Sequence, residues 1–88
     1  TPLHSASRRG HYEVVGQLLD KGADASSKDI DGRTPLHASA RRGHQDVAQL
    51  LLTSGAKGSA KDNEGRTPLH WAALQGHQQA AKVLLQHG

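Results

Sequence analysis

The 88-residue sequence contains no cysteine, no methionine and no phenylalanine, and only one tryptophan and one tyrosine. Without cysteine there is no disulfide framework, no thiolate zinc site and no cysteine nucleophile. That usage suits a reducing compartment, so the expected location is intracellular, in the cytoplasm or nucleus. Long apolar runs are missing too. None approaches the ~20 residues that a membrane-spanning helix needs, which argues against a membrane partner. The first residues lack the basic-then-apolar order of a secretory signal. Apolar residues make up only 34% of the chain, so a core has to be assembled from Leu, Val and Ala by close, regular packing. A chain this short leaves room for one domain, residues 1–88, burying a modest share of its surface. The formal charge of +3 suits an acidic partner without demanding nucleic acid.

What is present is repetition, the signal that decides a fold before any local propensity does. Thr-Pro-Leu-His stands at Thr1 to His4, at Thr34 to His37 and at Thr67 to His70, a period of 33 residues. Gly-His follows at one offset each time, as Gly10-His11, Gly43-His44 and Gly76-His77. An apolar stretch and then a glycine close each register, at Gly22, Gly55 and Gly88. The expected units are residues 1–33, 34–66 and 67–88, the last one short.

Each unit reads as helix, tight turn, helix and exposed loop. Thr34 suits an N-cap, because its hydroxyl can accept from free amides of the first turn. Pro35 suits the first helical position, where its missing N–H costs nothing. The helix runs to Arg42 and stops at Gly43, which tolerates a left-handed C′ conformation. A second helix is predicted from about His44 to Thr53, with Val47, Leu50, Leu51 and Leu52 forming a stripe too wide for one buried side. Asp29-Ile30-Asp31-Gly32 and Asp62-Asn63-Glu64-Gly65 carry Asp first and Gly fourth, as a type I turn prefers.

These residues resemble the ankyrin-repeat family, whose 33-residue unit bears this Thr-Pro-Leu-His signature, and the resemblance extends over all 88 residues. It implies an all-α solenoid of stacked antiparallel helix pairs joined by hairpin-like loops, with an L-shaped section and slight curvature. It also implies protein–protein recognition through first helices and loops, without catalysis or cofactor. Ser7 and Ser39 replace family alanines, Gly16 weakens a second helix by ~1 kcal/mol relative to Ala, and Lys57 and Gly58 depart from the usual pattern.

Seven histidines invite a metal reading. Six belong to the repeat signature, and equivalent residues on packed helices lie ~10 Å apart, whereas zinc ligands sit ~2 Å from a shared ion. The better expectation is that a ring nitrogen of His37 bonds the Thr34 hydroxyl or a neighbouring loop carbonyl. Asp29, Asp31, Asp62 and Glu64 fall on turn tips, where water keeps them ionised and no wall raises a pKa. No nucleophile elbow and no glycine-rich phosphate loop is present. No catalytic, cofactor or metal residue is assigned.

The six arginines are distributed with more purpose. Arg8, Arg9, Arg41 and Arg42 end first helices, and Arg33 and Arg66 precede the signature motif. Arginine's planar fork suits carboxylate recognition. Unit three places Leu74 and Gln75 at the arginine positions and Trp71 where the other units have Ser5 and Ala38. The expected partner-binding set is Arg8, Arg9, Ile30, Arg33, Arg41, Arg42, Arg66, Trp71 and Leu74. Trp and Arg often dominate interface energies. The competing reading has the arginine pairs favouring helix dipoles and Trp71 filling the groove beneath the loops. Nucleic acid would also accept the arginines, yet no aromatics are interleaved for base stacking.

Repeat arrays usually end in units with polar outer faces. Val14, Val15, Leu18 and Leu19 in unit one, and Ala80, Ala81, Val83, Leu84 and Leu85 in unit three, are apolar instead. The expectation is a piece of a longer array, self-associating through its end faces. The reading of first choice is a protein-interaction module for an acidic segment. Its rival is a structural spacer within a longer solenoid.

Overall fold

The computed structural model describes residues 1–87, which form six helices and, among the described residues, no strand. They come in pairs: α1 (Pro2–Arg9) with α2 (Tyr12–Asp20), α3 (Pro35–Arg42) with α4 (Gln45–Thr53), and α5 (Pro68–Leu74) with α6 (Gln78–His87). Local chemistry sets the boundaries. Thr1, Thr34 and Thr67 each N-cap a first helix, their hydroxyls accepting from the backbone N–H three residues on, with proline next in line. At the other end Gly10 and Gly43 take left-handed conformations, φ 72° and 76°, and turn the chain into the second helix. The body measures 31 × 25 × 21 Å, so three units stack to only slightly more than their own width.

First helices stack on first helices and second on second, and the core is the seam between the two layers. Leu36, Val47, Ala48 and Leu51 of the middle unit are fully enclosed, with Leu3 and Val15 before them and Ala72, Ala80 and Leu84 after. Leu50 and Leu52 are half-buried partners of that seam. Ala48, which does not stand out in the sequence, belongs to it because its small side chain lets helices approach closely.

The two serines at alanine positions behave differently. Ser39 is buried and its hydroxyl donates to the Leu36 carbonyl at 3.0 Å. Ser7 is equally buried, yet its hydroxyl has no partner among the described residues. A buried unpaired hydroxyl costs about 1–3 kcal/mol, and the equivalent residue one unit on is the enclosed Ala40. Ser7→Ala is therefore expected to raise unfolding free energy by about 1 kcal/mol in urea titration. A neutral or destabilising result would show that the hydroxyl has a partner in solution. Gly16 is under no such constraint, since Leu50 Cδ2 stands 3.8 Å from the position a Cβ would take.

The loops between units are turns held by their own aspartates. Gly32 N–H donates to Asp29 O at 3.0 Å and Gly65 N–H to Asp62 O at 2.9 Å, closing the predicted turns. Asp29 N–H donates to Arg33 O and Asp62 N–H to Arg66 O, both at 2.9 Å, which gives each loop its hairpin-like closure. Adjacent loops are tied by Asn63, whose backbone N–H donates to Asp31 O at 2.9 Å and whose amide donates to Ile30 O at 3.0 Å. Gly32 allows this approach: a Cβ there would meet Asn63 atoms at 3.0 Å or closer.

Candidate functional site

Two sets of histidines set the spacing of the units, working in opposite directions along the array. In the first set, His37 Nδ1 accepts from Thr34 N–H at 3.1 Å and lies 2.9 Å from the Thr34 hydroxyl, while Nε2–H donates forward to Arg66 O at 2.8 Å. His4 has two of these three contacts, the Thr1 hydroxyl 2.6 Å from Nδ1 and Nε2–H donating to Arg33 O at 2.8 Å. The two alternatives expected for this ring, the threonine hydroxyl and the loop carbonyl, are both taken, one by each nitrogen. His70 differs: its ring is exposed and makes no hydrogen bond among the described residues. The carbonyl 29 residues on, which His4 and His37 use, is outside the 88-residue sequence. In the second set, His44 Nε2–H donates backward to Arg8 O at 2.9 Å and His77 Nε2–H to Arg41 O at 3.0 Å. With both ring nitrogens of His4 and His37 engaged, neither has a free lone pair for a metal. No group of three metal-binding side chains occurs among the described residues.

His37 is held neutral. Burial lowers its pKa below the ordinary 6.5, reinforced by Lys28 and Arg33 and only partly opposed by the Arg66 carbonyl and the Asp62 charge. A second proton would also have to enter at Nδ1, against the Thr34 N–H already pointing there.

Between the loops and the first helices lies a groove bordered by His4, Arg8, Arg33, Ala38, Arg41 and Trp71, with Asp29, His37 and Arg42 completing its lining. Its cavity volume is about 80 Å³, well below the ~300–1,000 Å³ of small-molecule sites. Trp71 forms one wall and is 6% exposed. Its Nε1–H donates to Asp62 Oδ2 at 2.8 Å. The guanidinium carbons of Arg33, Arg66 and Arg41 lie 4.8, 4.9 and 5.2 Å from the ring centroid, within cation–π reach.

Trp71 also decides what happens to the two loop aspartates. Asp29 and Asp62 each accept from two loop N–H groups through Oδ1. Asp29 stays exposed, with Ala38 on the helix position that Trp71 occupies one unit later. Asp62 is buried under the indole, not solvated as its turn-tip position suggested. Burial alone would raise its pKa. The Arg66 and Glu64 N–H groups and the Trp71 indole together outweigh that and hold it below the ordinary 3.8.

The six arginines do not share one environment. Arg33 is paired, with Glu64 at 3.5 Å, Asp62 at 3.8 Å and Asp31 at 4.0 Å. Arg66 is half-buried against the indole. Arg8, Arg9, Arg41 and Arg42 are exposed, and no carboxylate lies within ion-pair distance of them among the described residues. Leu74 is 58% exposed and continues the line of Arg8 and Arg41 onto α5. Ile30 projects from its turn at 93% exposure. The groove thus brings together Arg8, Arg33, Arg41, Arg42 and Trp71; Arg9, Ile30, Arg66 and Leu74 do not line it. Sequence reasoning missed the groove's floor, Ala38, and Asp62, which orients Trp71. The gain of a bulky residue at Trp71, where the other units have Ser5 and Ala38, was the available signal.

No helix is long and apolar enough to cross a membrane among the described residues. A family model for ankyrin repeats in three copies matches residues 3–88. Over 34 residues the chain is 50% identical to part of the E3 ubiquitin-protein ligase XBAT33 of Arabidopsis thaliana, a match covering 39% of this chain and 7% of that protein. The paired helices, capped by the Thr-Pro-Leu-His motif and linked by histidine-carbonyl bonds, carry the same assignment: the chain belongs to the ankyrin-repeat family, whose members are in general non-catalytic protein–protein interaction modules.

Proposed function

We propose that the array binds an acidic segment of a partner protein through the groove between its first helices and loops. The observation that supports this best is the exposed Arg8, Arg41 and Arg42 standing around a groove walled by Trp71, with no carboxylate of the chain itself paired to them. Arg9 extends the positive edge, and Ile30 and Leu74 offer apolar contacts at its margins. Arg33 and Arg66 support the wall. The likeness to a ubiquitin ligase is about one repeat long and carries over no ligase chemistry.

Binding of this kind is steered by charge. Exposed charges are screened beyond ~8 Å at physiological ionic strength. Association with a glutamate-rich peptide should therefore slow as salt rises, while dissociation changes little. Arg8→Glu with Arg42→Glu should slow association by about tenfold or more at low salt. Folding should be spared, because exposed substitutions usually shift stability by under ~0.5 kcal/mol. Stopped-flow rates across a salt series check this. Identical association rates for the variant and the unaltered protein would put recognition elsewhere.

A structural reading, in which the units contact further repeats or a second copy, is supported by two apolar grooves. One is bordered by Leu3, Leu18 and Ala23, the other by Leu69, Leu84 and Leu85. Concentration-dependent sedimentation would favour that reading, and peptide binding by a strict monomer would favour the first.

A further inference from the structure

Arg8, Arg41 and Leu74 occupy one equivalent position on α1, α3 and α5. The second histidine set fixes the backbone of the first two rungs, since His44 holds Arg8 O and His77 holds Arg41 O. Packed helix axes lie about 8–10 Å apart, so the rungs present cation, cation and apolar side chain at that regular step. The first two can take a carboxylate each; Leu74 can take only an apolar group.

A ligand matching all three must repeat one face at the same step. A β-strand does not: residues two apart share a face at about 6.6 Å, and residues three apart face opposite ways. An α-helix repeats a face after seven residues, at about 10.5 Å, longer than this step. A polyproline II segment repeats a face every third residue, at about 9.3 Å. Such segments are recognised in grooves that contain an aromatic residue, and Trp71 stands in this groove's wall, 6% exposed, with the Arg33, Arg41 and Arg66 guanidiniums against its ring. Asp29 also lines the groove, but its Oδ1 is engaged by the Asp31 and Arg33 N–H groups.

Resting on the acidic-partner reading, we infer that the site selects a polyproline II peptide bearing two carboxylates three residues apart and an apolar residue three further on. The Arg8 and Arg41 guanidiniums take the carboxylates, Leu74 takes the apolar side chain, and Trp71 positions the Arg41 guanidinium that lies against its ring. Arg33, already paired with three carboxylates of its own chain, takes no part in selection.

The test is fluorescence anisotropy of labelled peptides of one composition and charge. Glu-Pro-Ala-Glu-Pro-Ala-Leu and its reversed order, Leu-Ala-Pro-Glu-Ala-Pro-Glu, are compared with Glu-Glu-Pro-Ala-Pro-Ala-Leu, in which the carboxylates are adjacent. One of the two spaced orders should bind about tenfold tighter than the adjacent one, the worth of one added charge-assisted contact. Arg8→Gln should remove that advantage, whereas Lys82→Gln on α6, equal in charge change, should keep it. Circular dichroism of both variants excludes loss of folding. Spaced and adjacent peptides binding alike would overturn the spacing rule and leave the acidic-partner reading standing. Failure of every peptide to bind would overturn both, and a spacing advantage that survives Arg8→Gln would overturn the assignment of the rungs.

Discussion

Trp71→Ala is expected to cost about 3–5 kcal/mol in unfolding free energy, the range for emptying a large buried aromatic site. Total stability at this length is on the order of 4–13 kcal/mol, so the loss removes a large share of it. The loss has several sources. The indole is buried, and its removal opens a cavity between the last loop and α5. Asp62 Oδ2 loses its 2.8 Å donor while remaining in a place that water does not readily reach. Arg33, Arg41 and Arg66 lose the surface on which they stack. Trp71→Phe separates these effects. It keeps an aromatic face for the guanidiniums and removes the indole N–H, so it should cost only about 1–2 kcal/mol. Urea unfolding followed by circular dichroism measures both. A loss below about 1 kcal/mol for Trp71→Ala would mean that the side chain is not packed in solution. In that case Trp71 is a partner-contacting group, and its truncation should show in dissociation rates instead.

How much of this was legible beforehand depended on how far apart the interacting residues are in sequence. Thr34, Pro35 and Gly43 act on their own turn of backbone, so cap, first position and stop could be read residue by residue. The wide apolar stripe of α4 likewise announced burial on more than one side, although which neighbours buried it was not visible. The histidine bonds join residues 29 and 36 positions apart. Only the resemblance to a stacked repeat brought such partners near one another. The acidic turns show the limit most clearly. Asp29 and Asp62 sit in the same four-residue pattern and make the same Oδ1 bonds, yet one is exposed and the other buried. The difference is made by Trp71, which lies on another helix. Arginine counting reached no further for a related reason. A formal charge is a property of the sequence, but the carboxylates that neutralise Arg33 come from both its own loop and the next one.

Acid should loosen the array before it protonates its carboxylates, and His37 should be where this begins. Its folded pKa lies below the ordinary 6.5 because burial disfavours the charged ring. Folding therefore favours the neutral form, and the unfolded chain binds more protons over this range. The resulting stability is fully present above pH ~6.5 and declines as pH falls through that value toward the folded pKa. Asp62 follows lower down. Its folded pKa is depressed below 3.8, so its contribution is present above that pH and is lost only as pH falls toward and through the folded value. Unfolding free energy should thus fall in two separated stages, the first beginning as pH falls below ~6.5. His37→Ala removes the ring's titration but leaves Arg66 O and Thr34 N–H without their partner. At about 1–3 kcal/mol for each buried group left unpaired, it should be strongly destabilised at neutral pH and show a shallower first stage. Proton NMR titration of the ring provides the direct check, and a His37 pKa above 6.5 would remove the basis of the first stage. The consequence reaches the groove. His37 lines it and holds the carbonyl of Arg66, whose guanidinium lies against Trp71. Charging the ring adds a cation beside the groove while breaking the Thr34 N–H bond to Nδ1, part of the cap of α3, which carries Arg41 and Arg42. Acidic-peptide binding should then weaken as pH falls below ~6.5, even though the added charge alone would strengthen it; stronger binding at the lower pH would mean that the start of α3 holds without the Nδ1 bond.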